Sequence, residues 1–260
     1  MVVVVVVAAV VGWVLATRDD DSSAAAPTTT TAPATPPAAP STPAAPPTTP
    51  APPASAPADG CPAGGAGVPN GADVREVVDV DGDGRADQAW LSAGADRRFG
   101  VTTASGATFS IAIDSASPLP ASAIVQRIQS DGIPIALVDL EREAFVYSLA
   151  GCAVTPVLDA HGEAYTFDRG FGDEGTGVGC TDDAGVLRLA GLDAVRASDG
   201  TYDVSRTFVN LDADGRHATN GERAVVARGA AADEPVVTTA QEVSCGDLVA
   251  GKDGPVEPAA

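Results

Sequence analysis

The stretch "DVDGDGRAD", residues 79–87, sets Asp79, Asp81 and Asp83 on alternate positions, follows them with Gly84 and closes on Asp87. Carboxylates at that spacing in a tightly curled loop can all turn toward one centre. Together they offer a cage of hard oxygen donors. Calcium takes such a cage, with six to eight oxygens from carboxylates and backbone carbonyls at about 2.3–2.6 Å. The carbonyl of Arg85 stands where these loops supply a main-chain ligand. Gly84 accepts the sharp turn that a residue with a Cβ resists, and Gly82 lets the chain approach closely. Without a cation, four carboxylates within its reach would repel one another strongly. A plain solvated turn does not explain the spacing, and Ca2+ is the cofactor it calls for.

A helix–loop–helix calcium site needs a bidentate glutamate at position 12 of its loop. That position is Trp90, which cannot ligate. The chain beyond it reads as strand rather than helix: Phe109, Ile111 and Ile113 alternate with Thr108, Ser110 and Ala112, behind a Ser105-Gly106 turn. A calcium loop running straight into a strand, "DVDGDGRADQAWL", resembles the FG-GAP or VCBS-type repeat of integrin-like β-propeller blades, as in exported VCBS-repeat-containing proteins of high-GC bacteria. The resemblance covers little more than the loop and that strand. It implies a calcium ion held by Asp79, Asp81, Asp83, the Arg85 carbonyl and Asp87, and a domain used as an interaction module.

A repeat of this kind should recur. "NLDADGRHA" places Asn210, Asp212 and Asp214 on positions 1, 3 and 5, with Ala218 replacing the ninth-position aspartate, and marks a possible second, weaker metal site. "CTDDAGVLRLAGL" keeps Asp182, Gly185 and Leu192 of the pattern but has Cys180, Ala184 and Arg188 at ligand positions. It reads as a repeat that kept its turn and lost its metal.

Catalytic chemistry is sparse. The chain has two histidines, His161 and His217, both in polar turns. No nucleophile elbow, zinc-protease motif or phosphate loop occurs. Pairs such as Asp173 and Glu174 mean little in so acidic a chain. The glycine-rich segment 170–179 lacks the strand-then-helix context of a nucleotide loop and reads as a flexible surface loop. No catalytic residue is assigned; a cell-wall-directed hydrolase of the glycosidase type, using two carboxylates, stays as the alternative.

Short apolar runs separated by turn residues must position the loop: "REVVDV", "QAWLSA", "FGVTTA", "TFSIAI", "IPIALVDL", "AFVYSLA", "VLRLAGL", "DVSRTFVNL", "RAVVARG" and "EPVVTTAQEV". They predict an all-β domain of mostly antiparallel strands, either partly propeller-like or a sandwich. Residues 117–128 fit one helical turn or a strand.

The domain is expected over residues 59–250, with a disordered tail at 251–260. It holds Cys61, Cys152, Cys180 and Cys245 and nearly all of the net charge of −20. An acidic surface argues against nucleic acid and anionic headgroups. Four cysteines allow three pairings, and Cys152–Cys180 with Cys61–Cys245 is the expected one, the second tying the ends of the domain together. Residues 22–58 are nearly all Ala, Pro, Thr and Ser, too poor in large apolar groups to order themselves. Such a linker reaches on the order of 100 Å. Ahead of it, residues 1–21 begin with an apolar run that fits a signal peptide or, if uncleaved, a membrane anchor. The whole reads as an extracytoplasmic, tethered or secreted calcium-binding domain with a binding or structural role, its partner a cell-envelope polysaccharide or protein.

Overall fold

The run "IPIALVDL" is apolar nearly throughout instead of alternating, and a strand of that kind needs both faces covered. In the computed structural model, which describes residues 60–94, 97–170 and 176–259, this run forms β6 (Ile133–Asp139), with every residue but the last buried. It lies between β5 (Ser122–Ile128) and β7 (Glu143–Ser148) in an antiparallel sheet that continues into β8 (Thr155–Pro156), while β9 (Thr166–Asp168) also pairs with β7. A second sheet takes β1 (Asp73–Val77), β2 (Asp87–Ser92), β3 (Arg98–Thr102) and β4 (Thr108–Ala112) in chain order. A third takes β10 (Thr176–Asp183), β11 (Val186–Arg196), β12 (Tyr202–Leu211) and β13 (Ala218–Ala230), again in chain order.

The alternation within β6 feeds two cores. Ile133, Ile135 and Leu137 pack with Val178, Leu189, Val209 and Leu211 of the third sheet. Ala136 and Val138 pack with Ala89, Leu91, Phe99 and Val101 of the sheet that carries the 79–87 loop. The all-β, antiparallel expectation therefore holds, and residues 122–128 are strand. The run "EPVVTTAQEV" is a correction: Pro235–Thr239 form a short helix, α1, with Pro in the first turn where its fixed φ suits a helix. Val237 of α1 is buried with Leu192, Tyr202 and Val204. β-branched residues read as strand in isolation, and the tertiary contact overrides that preference. "CTDDAG" is a two-residue hairpin turn, with Asp183 opposite Val186 and both Ala184 and Gly185 at positive φ.

All four cysteines are bridged, but the pairs are Cys61–Cys152 and Cys180–Cys245. The expected pairing fails because Cys180, on β10, faces β14 (Ser244–Cys245), which pairs with β15 (Leu248–Val249). The ends of the domain are joined by other means. Residues 251–259, expected to be disordered, are instead docked. Ala123 N donates to Pro255 O (3.0 Å), Glu257 N to Ala121 O (2.7 Å), and Val256 N to the Asp73 carboxylate (2.9 Å). The Glu257 carboxylate accepts from Arg97 Nε (2.9 Å) and the Ala121 amide (2.8 Å). These are contacts of backbone and charge, invisible to a hydrophobicity pattern. Gly254 fits so closely that an added Cβ would lie 1.9 Å from the Ala123 carbonyl oxygen. Gly254→Ala is expected to detach the segment, so that limited proteolysis cuts after residue 250; unchanged protection would show the docking to be dispensable.

The described residues fall in one compact unit, Ala54–Ala260. The apolar run at residues 1–21 and the linker at 22–58 lie outside the described residues, as do Asp173 and Glu174. Among the described residues, no helix is long and apolar enough to cross a membrane.

Candidate metal centre

The loop 78–86 joins two adjacent strands whose ladder closes at Val77 opposite Asp87. Asp87 is therefore the first residue of β2 and is 1% exposed. The loop curls because its own carboxylates cap its amides. Asp79 Oδ1 accepts from Gly82 N (2.6 Å) and Oδ2 from Gly84 N (2.9 Å). Gly82 and Gly84 both sit at positive φ, as the turn demands. Asp87 Oδ2 accepts from Val80 N (2.6 Å) and Oδ1 from Ala104 N (2.8 Å). From the middle sheet, Arg127 Nε donates to the Asp79 carbonyl (2.9 Å), tying the loop backbone to β5.

Three of the four carboxylates converge: Asp79, Asp81 and Asp87 each offer an oxygen, all within 4.8 Å of one another. Among the described residues, this is the one group of three His, Cys, Asp or Glu side chains so disposed. Asp83 is placed differently. Its carboxylate is held by the Arg85 guanidinium, at 2.6 Å from Nη2 and 3.0 Å from Nε, and by the Arg85 amide at 2.8 Å. Arg85 thus enters through its side chain, as a counter-ion. Sequence reasoning also missed Cys61, Ser105 and Arg127, whose contacts with the loop span 20 to 48 positions of chain.

Burial pushes the Asp87 carboxyl above the usual range. The amides of Ala104 and Val80 oppose the shift, and the nearby charges of Asp81 and Asp79 add to it. At Asp81 burial also works upward. There the hydrogen bonds from the Cys61 amide, the Ser105 hydroxyl, the Asp83 amide and Thr103 win, and the carboxyl is lowered. Crowded carboxylates, one of them buried, favour a cation among them. The donor set is entirely hard oxygen, which fits calcium or magnesium and excludes metals that want thiolate or imidazole.

Asp87 also has a structural duty. Each of its oxygens accepts a backbone amide, and asparagine has one acceptor and one donor in their place. Asp87→Asn is expected to cost about 1–3 kcal/mol by leaving one amide unpaired. Urea unfolding should show that loss in chelator as well as in calcium; equal stability in chelator would remove this role.

The residues of the second motif meet basic groups. Asn210 Oδ1 accepts from Arg188 Nη2 (3.2 Å), and Asp214 lies 3.6 Å from Arg216 Nε. Asp212 accepts from the Arg216 amide (2.7 Å), the His217 amide (3.1 Å) and His217 Nδ1 (2.7 Å). Burial opposes the shift at Asp212, but these bonds hold its carboxyl down at about 2. His217 is thereby engaged in an exposed turn. His161 lies in another, its amide donating to Asp159.

No family model, curated protein or solved structure matches this chain.

Proposed function

We propose that this chain is an extracytoplasmic calcium-binding β domain of the FG-GAP/VCBS kind, tethered to or secreted from the cell, with a binding or structural role toward a cell-envelope polysaccharide or protein. The observation that carries it is the convergence of Asp79, Asp81 and Asp87 within 4.8 Å, in a loop whose sequence has calcium spacing. Three four-stranded runs in chain order, with the loop between the first two strands, suit a blade-like plan. Two disulfides suit an oxidising compartment. Asp79, Asp81 and Asp87 would hold the ion, and the ion would supply the positive charge that their crowding lacks. Calcium is favoured over magnesium because magnesium demands near-ideal octahedral geometry and keeps its waters. The role would be structural: Asp79 and Asp81 of the loop and Asp87 of β2, with Asp81 held by the Cys61 amide, would be drawn together by the ion's charge.

The test is calorimetric titration of the chelator-stripped full chain with CaCl2 and with MgCl2. One calcium site, lost in Asp81→Asn, is the expected result; no heat from either ion refutes the reading. Co-sedimentation with insoluble cell-wall polysaccharide tests the partner. Release of reducing ends in the same mixture would favour the hydrolase alternative instead.

A further inference from the structure

The three converging carboxylates are not held alike. Asp79 is fixed by amides of its own loop, and Asp87 by one loop amide and the Ala104 amide. Asp81 takes one long bond from its own loop, the Asp83 amide at 3.3 Å, and its shorter ones from more distant chain. Its Oδ2 accepts from the Cys61 amide (2.7 Å) and from the Ser105 hydroxyl (2.9 Å). Ser105 Oγ also lies 2.7 Å from the Cys61 carbonyl oxygen and 2.7 Å from Thr103 Oγ1. Its single proton serves either Asp81 or the Cys61 carbonyl, while Thr103 can donate to Ser105. The backbone around Cys61 and the carboxylate of Asp81 therefore share one hydrogen-bonded knot.

That backbone is fitted tightly against the site. Gly60 is at φ +71°, and a Cβ there would lie 2.8 Å from Asp81 Oδ2 and 3.1 Å from Ser105 Cβ. Cys61 is 3% exposed and bonded to Cys152 in the turn after β7, across 91 positions of sequence. The next tie along the segment is at Gly64, which exchanges hydrogen bonds with Gly106 and Thr108. Between that tie and the site, residue 61 is anchored by the disulfide and by the Ser105 hydroxyl at its carbonyl. Cys180–Cys245 makes none of these contacts.

We propose that the Cys61–Cys152 disulfide and Ser105 are positioning elements for Asp81, so that the divalent-cation affinity of the loop depends on the redox state of this one bridge. The inference rests on the metal reading above. A dithiol reduces the bridge by giving up two electrons and two protons: the S–S bond breaks, Cys61 and Cys152 become thiols, and the dithiol closes to its own disulfide. The amide of residue 61 is then free to leave Asp81. By linkage, bound calcium disfavours that reduction by the same factor that the intact bridge raises affinity.

The experiment titrates the full chain with CaCl2 in four forms: wild type, Cys61→Ser with Cys152→Ser, Cys180→Ser with Cys245→Ser, and Ser105→Ala. The first double variant and Ser105→Ala are expected to bind calcium about tenfold more weakly, the scale of one hydrogen bond to a charged group. The Cys180/Cys245 variant should stay within about twofold of wild type, having no contact with the site. Ser105→Ala should keep its melting temperature in EDTA while losing affinity, which a merely structural role would not produce. If the Cys61/Cys152 variant fails to fold, Ser105→Ala decides alone. Unchanged affinity in Ser105→Ala, or in a folded Cys61/Cys152 variant, overturns the proposal with the metal reading intact. Absence of calcium binding by the wild type overturns both.

Discussion

Calcium at about 10 mM is expected to raise the melting temperature of the full chain by about 5–10 °C over its value in EDTA. The magnitude follows from mass action. A ligand that binds only the folded state stabilises it by RT ln(1 + [L]/Kd), about 2.7 kcal/mol at a hundredfold excess over Kd. Extracellular calcium modules bind at about 0.1–1 mM, so the tighter end of that range gives such an excess at about 10 mM. For a domain of roughly 200 residues, each kcal/mol moves the midpoint by about 2–4 °C. Asp79→Ala combined with Asp81→Ala should erase the shift, since it removes two of the three converging oxygens. Asp212→Ala should leave it in place, because Asp212 is engaged with His217 and not with this loop. Identical melting in calcium and EDTA would leave the loop as an acidic turn held by its own amides. A shift that survives Asp79→Ala/Asp81→Ala would move the site elsewhere.

What the sequence could disclose depended on how far apart the partners lie in the chain. The curl of the 79–87 loop was legible because its capping bonds run between residues two to seven apart, such as Arg85 to Asp83, Gly82 to Asp79 and Val80 to Asp87. β6 was legible because burial on two faces leaves an unbroken apolar run. Asp83 was misplaced by a competitor two residues away: the Arg85 guanidinium can fold back on it, and spacing rules for ligands do not weigh a neighbouring cation. Cys61, Ser105 and Arg127 were out of reach, since nothing local in "GCPAG" or "ASGAT" says that Asp81 needs an amide and a hydroxyl there. The disulfide partners and the docked residues 251–259 failed for the same reason. Their contacts are long-range, and in the tail they are made by backbone groups and ion pairs, which leave no periodic trace.

Arg169→Ala is expected to cost about 3–5 kcal/mol, the scale for breaking a mostly buried ion pair by removing one partner. Arg169 Nη1 lies 2.7 Å from Asp139 Oδ2, with each side chain 13% exposed. Its guanidinium also donates to the carbonyls of Gln241 and Thr176. The one side chain therefore ties β6 of the middle sheet to β10 of the third and to the segment after α1. Its loss strips the Asp139 carboxylate of this charge partner while the Glu141 amide at 2.9 Å stays in place. Asp139→Ala strands the guanidinium instead. Removing both strands neither charge, so Arg169→Ala/Asp139→Ala should cost clearly less than the sum of the single changes. Urea unfolding of the three variants measures this; strict additivity, or a cost below about 1 kcal/mol for Arg169→Ala, would show the pair to be incidental. Arg169 shares no partner with the 79–87 loop, so its cost should add to that of chelation. If instead the loss of Arg169 also weakened calcium binding, the middle sheet would be transmitting strain from one core to the other, and the loop would be only as rigid as the ion pair behind it.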